Sequence, residues 1–329
     1  MKLDLVSTGD TATRIESLEA VRPADVGAVV HRVVHGGPRF RDAVVIDDEV
    51  HEQIRELEEL APLHNAPALA AIDRARQAFP HVQQVAVFDT GFHATIPPEA
   101  STYALPRRWR EEWGIRRYGF HGLSVQWAAE RVPVPRLVVC HLGGGCSITA
   151  VRDGRSVDTT MGFTPLEGVP MATRSGTVDP GALLYLARTR GLDAAEIEHT
   201  LNTDSGLNGL AGTGDMLELE RRDAAGDAEA SDALAVFVHR VAAAAAAMAA
   251  ATAGIDALVF TAGIGEGSAL VRARVCERLG FLGVELDRAA NGAATPDCDI
   301  AQAGAGIRVL VVRAREELIA ARAARSLLG

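Results

Sequence analysis

At 329 residues, with 48 % hydrophobic and 23 % charged side chains, the chain is long and apolar enough to bury two cores, which excludes a disordered tail or a low-complexity repeat. Its 43 acidic against 33 basic residues leave a net charge of −10, so nucleic-acid or anionic-membrane binding through a broad basic face is excluded and any phosphate must be held locally. Four cysteines, Cys140, Cys146, Cys276 and Cys298, lack the paired spacing of a zinc site and are too sparse to staple the chain, so a reducing cytoplasm is expected. Lys2 is the only lysine, which removes lysine-based catalysis. No signal-like segment opens the chain, and its longest apolar run, Val241 to Ile255, is alanine-rich and shorter than the ~20 residues that span a bilayer. A buried helix with closely packed small side chains is expected there.

In chain order, Lys2–Val6 and Thr11–Ile15 are candidate short strands. The valine-rich run Ala28–Val34 ends in His35-Gly36-Gly37-Pro38 and predicts a strand entering a turn. Amphipathic spacing predicts one helix over Asp48–Leu60 and a second over Ala66–Ala78, stopped by Pro80. Gln84–Phe88 reads as a strand that delivers Asp89 at its C-terminal end, the edge where open α/β sheets place their chemistry. Arg136–Thr160 reads as three strands joined by turns at Gly143–Gly145 and Asp153-Gly154, because Asp-Gly supplies the positive φ angles of primed hairpin turns. Further on, the strand Ala257–Phe260 enters a glycine loop, Thr261–Ser268, that opens a helix through Leu279. The strand Arg308–Val312 and the helix Glu316–Leu327 close the chain.

The glycine loops at Gly143–Gly145 and Gly263–Gly267 suit phosphate, since glycine lets backbone N–H groups approach an anion closely. Each alone could be a tight turn, and neither is a Walker loop or a dinucleotide fingerprint. His31 and His35 have the spacing of a helical zinc pair, but the valines between them and the glycines after them favour a strand. Arg32, His64, His121 and Arg174 fit phosphoryl transfer better, because its transition state spreads charge over three equatorial oxygens that cationic donors stabilise. Asp89 and Glu316, at element ends, are then candidate carboxylates for positioning substrate and for Mg²⁺, a hard cation that prefers oxygen.

The runs His31-Arg-Val-Val-His-Gly-Gly37, Leu60-Ala-Pro-Leu-His-Asn65, Val87-Phe-Asp-Thr-Gly-Phe-His93 and Ile115-Arg-Arg-Tyr-Gly-Phe-His-Gly122 closely resemble the acetate kinase family. So do Cys140-His-Leu-Gly143, Asp158–Gly168, Thr173-Arg-Ser-Gly176, Phe260-Thr-Ala-Gly-Ile-Gly-Glu266 and Glu316-Glu-Leu, in order from about residue 28 to the C-terminus. The resemblance implies an α/β fold of two ribonuclease-H-like (actin/Hsp70-like) domains with ATP in the interdomain cleft. Residues 1–91 with 315–329 would form the first domain and 92–314 the second, nucleotide-binding and dimerising one. By the same resemblance, Asp89, His121 and Arg174 are catalytic, Arg32 and His64 bind substrate, and Val34, Leu63, Phe120 and Pro165 form a small acyl pocket. Nucleotide would lie along His141, Leu142, Gly143, Gly144 and Gly145, along Asp215, Met216 and Leu217, and along Gly263, Ile264, Gly265, Glu266 and Gly267. Glu316 would help to hold Mg²⁺, with Mn²⁺ as an alternative, and the partners would be acetate, ATP, ADP, acetyl phosphate and a second copy of the chain.

The departures also carry expectations. The family opens with a phosphate-binding turn reading approximately Asn-Ala-Gly-Ser-Ser-Ser-Leu-Lys, and nothing like it precedes Arg32, so the first domain reads as N-terminally truncated and short of strands. Either the reading frame starts upstream, or the chain is a degenerate, weakly active or inactive nucleotide-binding relative. Gly144, Leu217 and Gly267 stand where the family has asparagine, arginine and asparagine, which keeps backbone donors and removes side-chain ones. A kinase for propionate or butyrate is the remaining alternative.

Overall fold

The computed structural model describes residues 3–6, 26–60 and 62–329, and the strand expected over Thr11–Ile15 lies outside them. The first elements are β1 (Leu3–Val6), β2 (Ala28–Val33), β3 (Val44–Val45), α1 (Asp48–Glu56), α2 (Pro62–Ala78), β4 (Gln83–Phe88), α3 (Pro98–Ser101), α4 (Arg107–Trp113) and α5 (Gly122–Arg131). There follow β5 (Arg136–Leu142), β6 (Cys146–Arg152), β7 (Arg155–Thr159), α6 (Pro180–Arg190), α7 (Ala194–Thr203), α8 (Gly206–Ala211), α9 (Met216–Ala224) and α10 (Ala228–Ala251). The chain closes with β8 (Ala257–Thr261), α11 (Ala262–Gly267), α12 (Ala269–Arg278), α13 (Arg288–Gly292), β9 (Cys298–Asp299), β10 (Arg308–Val311) and α14 (Glu316–Leu328).

Two compact units emerge: Met1–Thr95, Ser101–Trp127 and Arg315–Gly329 form the first, and Ile96–Ala100 with Ala128–Ala314 the second. Residues 101–127, which a boundary at residue 91 would assign to the second domain, thus pack with the first. The sheet of the first unit runs β1-β2-β4-β3, with β1, β2 and β4 parallel and β3 antiparallel at the edge. Because strand side chains alternate between faces, Val33, Ala86 and Phe88 pack with Ile54 of α1 and Leu69 and Ile72 of α2. Val30, Val85 and Val87 take the opposite face, against Leu123 of α5 and Ile319, Ala320 and Ala324 of α14. The same alternation sends Arg32, two residues after Val30, and Asp89, two after Val87, to the α14 side of the sheet. The helix expected over Asp48–Leu60 ends at Glu56 and tightens into a 3₁₀ turn, Leu57–Leu60. The next helix begins at Pro62, not Ala66, since proline lacks the N–H that a first helical residue leaves unpaired.

The six-stranded sheet of the second unit runs β7-β6-β5-β8-β10-β9, with β5, β8 and β10 parallel and β6 antiparallel to both its neighbours. Asp153 and Gly154 make the β6–β7 turn with φ of 50° and 75°, as the Asp-Gly pair requires. Alanine-rich α10 packs against β5, β6 and β7 and against α8, α9 and α12, burying Leu234, Phe237, Val241, Ala245 and Met248 among others. At 24 residues it is long and apolar enough to cross a membrane, so the expectation of too short an apolar run does not hold; half of its most apolar window is buried inside the unit. The segment expected as a glycine loop is the helical turn α11, followed by a break at Ser268. Two side chains cause this. Glu266 reaches back so that its Oε1 accepts from Ala262 N–H at 3.1 Å, and Ser268 Oγ accepts from Val271 N–H at 2.9 Å to start α12.

Candidate functional site

The first cluster lies at the C-terminal ends of β2 and β4, adjacent parallel strands in the register Val33↔Phe88. Arg32 Nε donates to Asp89 Oδ1 at 2.9 Å and Nη2 to Asp89 Oδ2 at 2.6 Å, a bidentate pair in which the arginine is 16 % exposed and the aspartate 1 %. Its remaining nitrogen, Nη1, meets Glu316 Oε2 at 2.8 Å, at the first residue of α14. The guanidinium plane is thereby fixed by two carboxylates from separate elements. An arginine so held keeps its charge and its direction.

A second backbone segment is tied to this edge. Gly122 N–H donates to the Asp89 carbonyl at 2.9 Å, and a Cβ at Gly122 would collide with that same oxygen. His121 takes a φ of 60°, the left-handed region that a non-glycine residue rarely adopts. Phe120 is buried, and its ring and that of Tyr118 lie edge-on to His35, with centroids 5.3 and 4.6 Å away. Asn65, beside the motif histidine, clasps the His35 backbone: its Oδ1 accepts from His35 N–H and its Nδ2 donates to His35 C=O, both at 3.1 Å. The side chains of Leu63 and His64 lie outside the described residues, and Val34 is half-buried. His31 belongs to β2, not to a helix, and pairs Nε2 with Gln84 Oε1 at 2.8 Å on the face opposite Arg32. Burial pushes its pKa down to about 4, against the opposing pull of that hydrogen bond.

The second unit holds the other candidates. Gly143–Gly145 closes a turn between β5 and β6 with Gly143 N–H on the Gly145 carbonyl at 3.0 Å, and Ala172 N–H donates to Gly144 C=O at 3.2 Å. Arg174 is half-buried in the loop that follows, and its Nη1 lies 3.9 Å from Met171 Sδ. That loop is shaped by Gly206, whose φ is +61° and whose Cβ, were there one, would overlap the carbonyl oxygens of Met171 and Arg174. Burial pushes the Cys146 thiol up to about 12, while its bond to the Gly143 carbonyl and the charge of Arg174 pull the other way. Pro165 is buried in this unit.

Beside the glycine turns lies a cavity of about 450 Å³, lined by Gly143, Gly144, Gly214, Asp215, Met216, Leu217, Glu220, Gly263, Ile264, Gly267 and Ser268. Eight of the sequence candidates thus meet around one space. His141, Leu142, Gly145, Gly265 and Glu266 do not line it; Gly265 packs against Phe260, and the Glu266 carboxylate holds Ala262 and Ala314 N–H instead. Gly214, Glu220 and Ser268 are additions that the motifs did not single out, although Ser268 carries the helix-start signal and its Oγ is bonded to Glu220. Behind α11, Arg272 is 2 % exposed and donates to the carbonyls of Gly265, Glu266 and Asn291 at 2.8–3.0 Å and to Asn291 Oδ1 at 2.8 Å. Burial lowers its pKa, yet every bond it makes favours the charged form.

Two α/β units, each a mixed sheet with its candidate residues at strand ends and glycine turns, place the chain in the class of two-domain, ribonuclease-H-like phosphotransferase folds. Residues 11–322 match the Acetokinase family, and the chain belongs to it. It is 46 % identical over 324 residues to the acetate kinase of Nostoc punctiforme, covering 96 % of this chain and 78 % of that one. The crystal structure of a propionate kinase from Francisella tularensis superposes with a TM-score of 0.87 at 40 % identity, covering 91 % of this chain and 79 % of that one. Acetate kinase from Porphyromonas gingivalis gives 0.87 at 37 % identity, over 93 % and 79 %.

Proposed function

We propose that the chain catalyses reversible phosphoryl transfer between ATP and acetate, giving ADP and acetyl phosphate. The observation that carries this reading is Arg32, whose guanidinium is set by Asp89 and Glu316 at a strand edge, where a carboxylate or phosphoryl oxygen can be taken up. A carboxylate oxygen of acetate attacks the γ-phosphorus in line, forming the new O–P bond as the bond to the bridging oxygen of ADP breaks. Arg32 and Arg174 are the cations for the transferring group and His121 a donor to its equatorial oxygens, while Asp89 keeps Arg32 aligned. Asp215 and the glycine turns serve the nucleotide. In support, a Cβ at Gly144, Gly263 or Gly267 would meet open space beyond the neighbouring backbone, so these turns leave room for a ligand beside the cavity they line. Glu316 Oε2 is held by Arg32, which leaves Oε1 for a divalent cation. One carboxylate fits Mg²⁺ or Mn²⁺, since Mg²⁺ ordinarily takes one or two protein carboxylates and completes its shell with phosphate and water. When bound, the cation neutralises charge on the β- and γ-phosphates.

By the resemblance to the family, Val34 and Phe120 would line a small pocket for the acyl group. An added methylene in such a pocket changes selectivity by only ~1–3 kcal/mol, so propionate is the second reading, favoured by the resemblance to the Francisella propionate kinase. Association as a homodimer through the second unit would cover Leu184 and Tyr185, large apolar side chains exposed on α6. The test is acetyl phosphate formation by the purified chain with ATP, Mg²⁺ and acetate, trapped with hydroxylamine, beside Arg174→Ala. Activity lost in that variant supports the reading, and a folded, ATP-binding chain that makes no acyl phosphate overturns it.

A further inference from the structure

We propose that His93 is a positioning residue for His121: its imidazole holds the Phe120 carbonyl and so pins the Phe120–Gly122 segment against the end of β4, at the edge where Arg32 and Asp89 meet. His93 sits in the 3₁₀ turn Gly91–Thr95 that follows Asp89, is 1 % exposed, and has Nε2 2.8 Å from Phe120 O. A carbonyl only accepts, so the proton is on Nε2. One residue to the other side of His121, Gly122 N–H donates to Asp89 C=O at 2.9 Å. The two bonds bracket a residue whose φ of 60° lies in the left-handed region and persists only where the surroundings impose it. Glycine at 122 is the third constraint, because any side chain there would overlap the Asp89 carbonyl. Burial pushes the His93 pKa down to about 4, against the pull of the Phe120 carbonyl and the Asp89 charge, so the ring is a neutral donor throughout the neutral range. It undergoes no charge change that would make it an acid or a base. Its work is geometric.

The inference rests on the role assigned to His121 above, and its test separates the two. The full chain is compared with His93→Leu, His93→Gln and Gly122→Ala by acetyl phosphate formation, by calorimetric ATP affinity and by NMR titration of the His121 imidazole. His93→Leu and Gly122→Ala are expected to lower kcat about 10- to 100-fold while ATP affinity stays within about twofold, and combining them should add little. His93→Gln, which keeps an N–H donor, is expected to recover most of kcat. The His121 titration midpoint should move in the first two variants and return in the third. Wild-type kcat and midpoint in His93→Leu would overturn the proposal, as would a His93→Gln variant as impaired as His93→Leu at an unchanged melting temperature. Should the wild-type chain bind ATP yet form no acyl phosphate, the functional reading fails, and the His121 midpoint alone decides the positioning. Should His93→Leu not fold, His93→Gln and Gly122→Ala decide it by the same readouts.

Discussion

Replacing Arg32 with methionine keeps most of the volume of the side chain and removes its charge from a carboxylate that water barely reaches. Asp89 is 1 % exposed and both its oxygens are engaged by the guanidinium, at 2.9 and 2.6 Å. Breaking such a pair from one side costs roughly 3–5 kcal/mol, because the buried carboxylate loses both guanidinium bonds at once. The contact with Glu316 is more solvated, with that side chain 20 % exposed, and adds at most about 1 kcal/mol. Since the guanidinium edge also reaches solvent, the lower figure applies, and a loss of about 3 kcal/mol is expected. Trp109, Trp113 and Trp127, the three tryptophans of the chain, all belong to the first unit, so tryptophan emission in urea reads the unfolding of that unit without the second. The double variant Arg32→Met with Asp89→Leu should regain most of the loss, since a buried ion pair replaced by apolar groups of similar volume is often neutral. A single variant within about 1 kcal/mol of wild type, or a double variant no more stable than the single one, would refute the reasoning.

The pH dependence of the same signal follows from two histidines of the first unit. His31 and His93 are pushed down to about 4 by burial, so the unfolded chain binds protons more tightly than the folded one. Their contribution is complete above the unfolded value of about 6.5 and is lost as pH falls toward 4, up to about 3 kcal/mol for each. Urea midpoints from tryptophan emission should therefore drop between pH 7 and 4.5, and a flat profile would contradict the burial. In the second unit, Leu217 is 75 % exposed at the cavity, and Leu217→Arg is expected to tighten ATP about 3- to 10-fold at unchanged melting temperature, measured by calorimetry; equal or weaker binding counts against the cavity as the nucleotide site. Arg272→Met orphans the carbonyls of Gly265, Glu266 and Asn291 and should cost about 3 kcal/mol, read as faster amide exchange in α11 and α12; unchanged protection would show these bonds to be dispensable.

Strands were the legible part of the fold, for a physical reason. In β2, β4 and β8 the apolar run is short, β-branched and bounded by glycine, and no helix of that length could bury such a run on one face. Helix ends were harder, because they depend on side chains that act at a distance from the pattern. Composition alone makes Ala262–Gly267 a loop; it is a helical turn because the Glu266 carboxylate folds back on Ala262 N–H and also takes Ala314 N–H, 48 residues away in sequence. In the same way, Leu57–Leu60 continues the helical pattern but leaves the α-helix where the proline of the next helix redirects the chain.

The site divides along the same line. Motifs identify Arg32, Asp89 and Glu316 as charged residues of interest, yet only the register of β2 against β4 and the position of α14 make them one network. His93 carried no signal of its own beyond its place in a run, since a buried neutral histidine does its work through a carbonyl, and carbonyls are common to every residue. Glycines show the limit most clearly. Gly122 and Gly144 look alike in sequence, each following a histidine within a few residues, but Gly122 is required by the Asp89 carbonyl packed against it whereas a Cβ at Gly144 would meet nothing within 4 Å beyond its chain neighbours. At Gly122 the fold requires glycine, whereas at Gly144 it leaves open space that is distinguished only by the cavity it lines. That difference separates the clasp around His121 from the cradle proposed for nucleotide, and it can be drawn only once the neighbours of each residue are known.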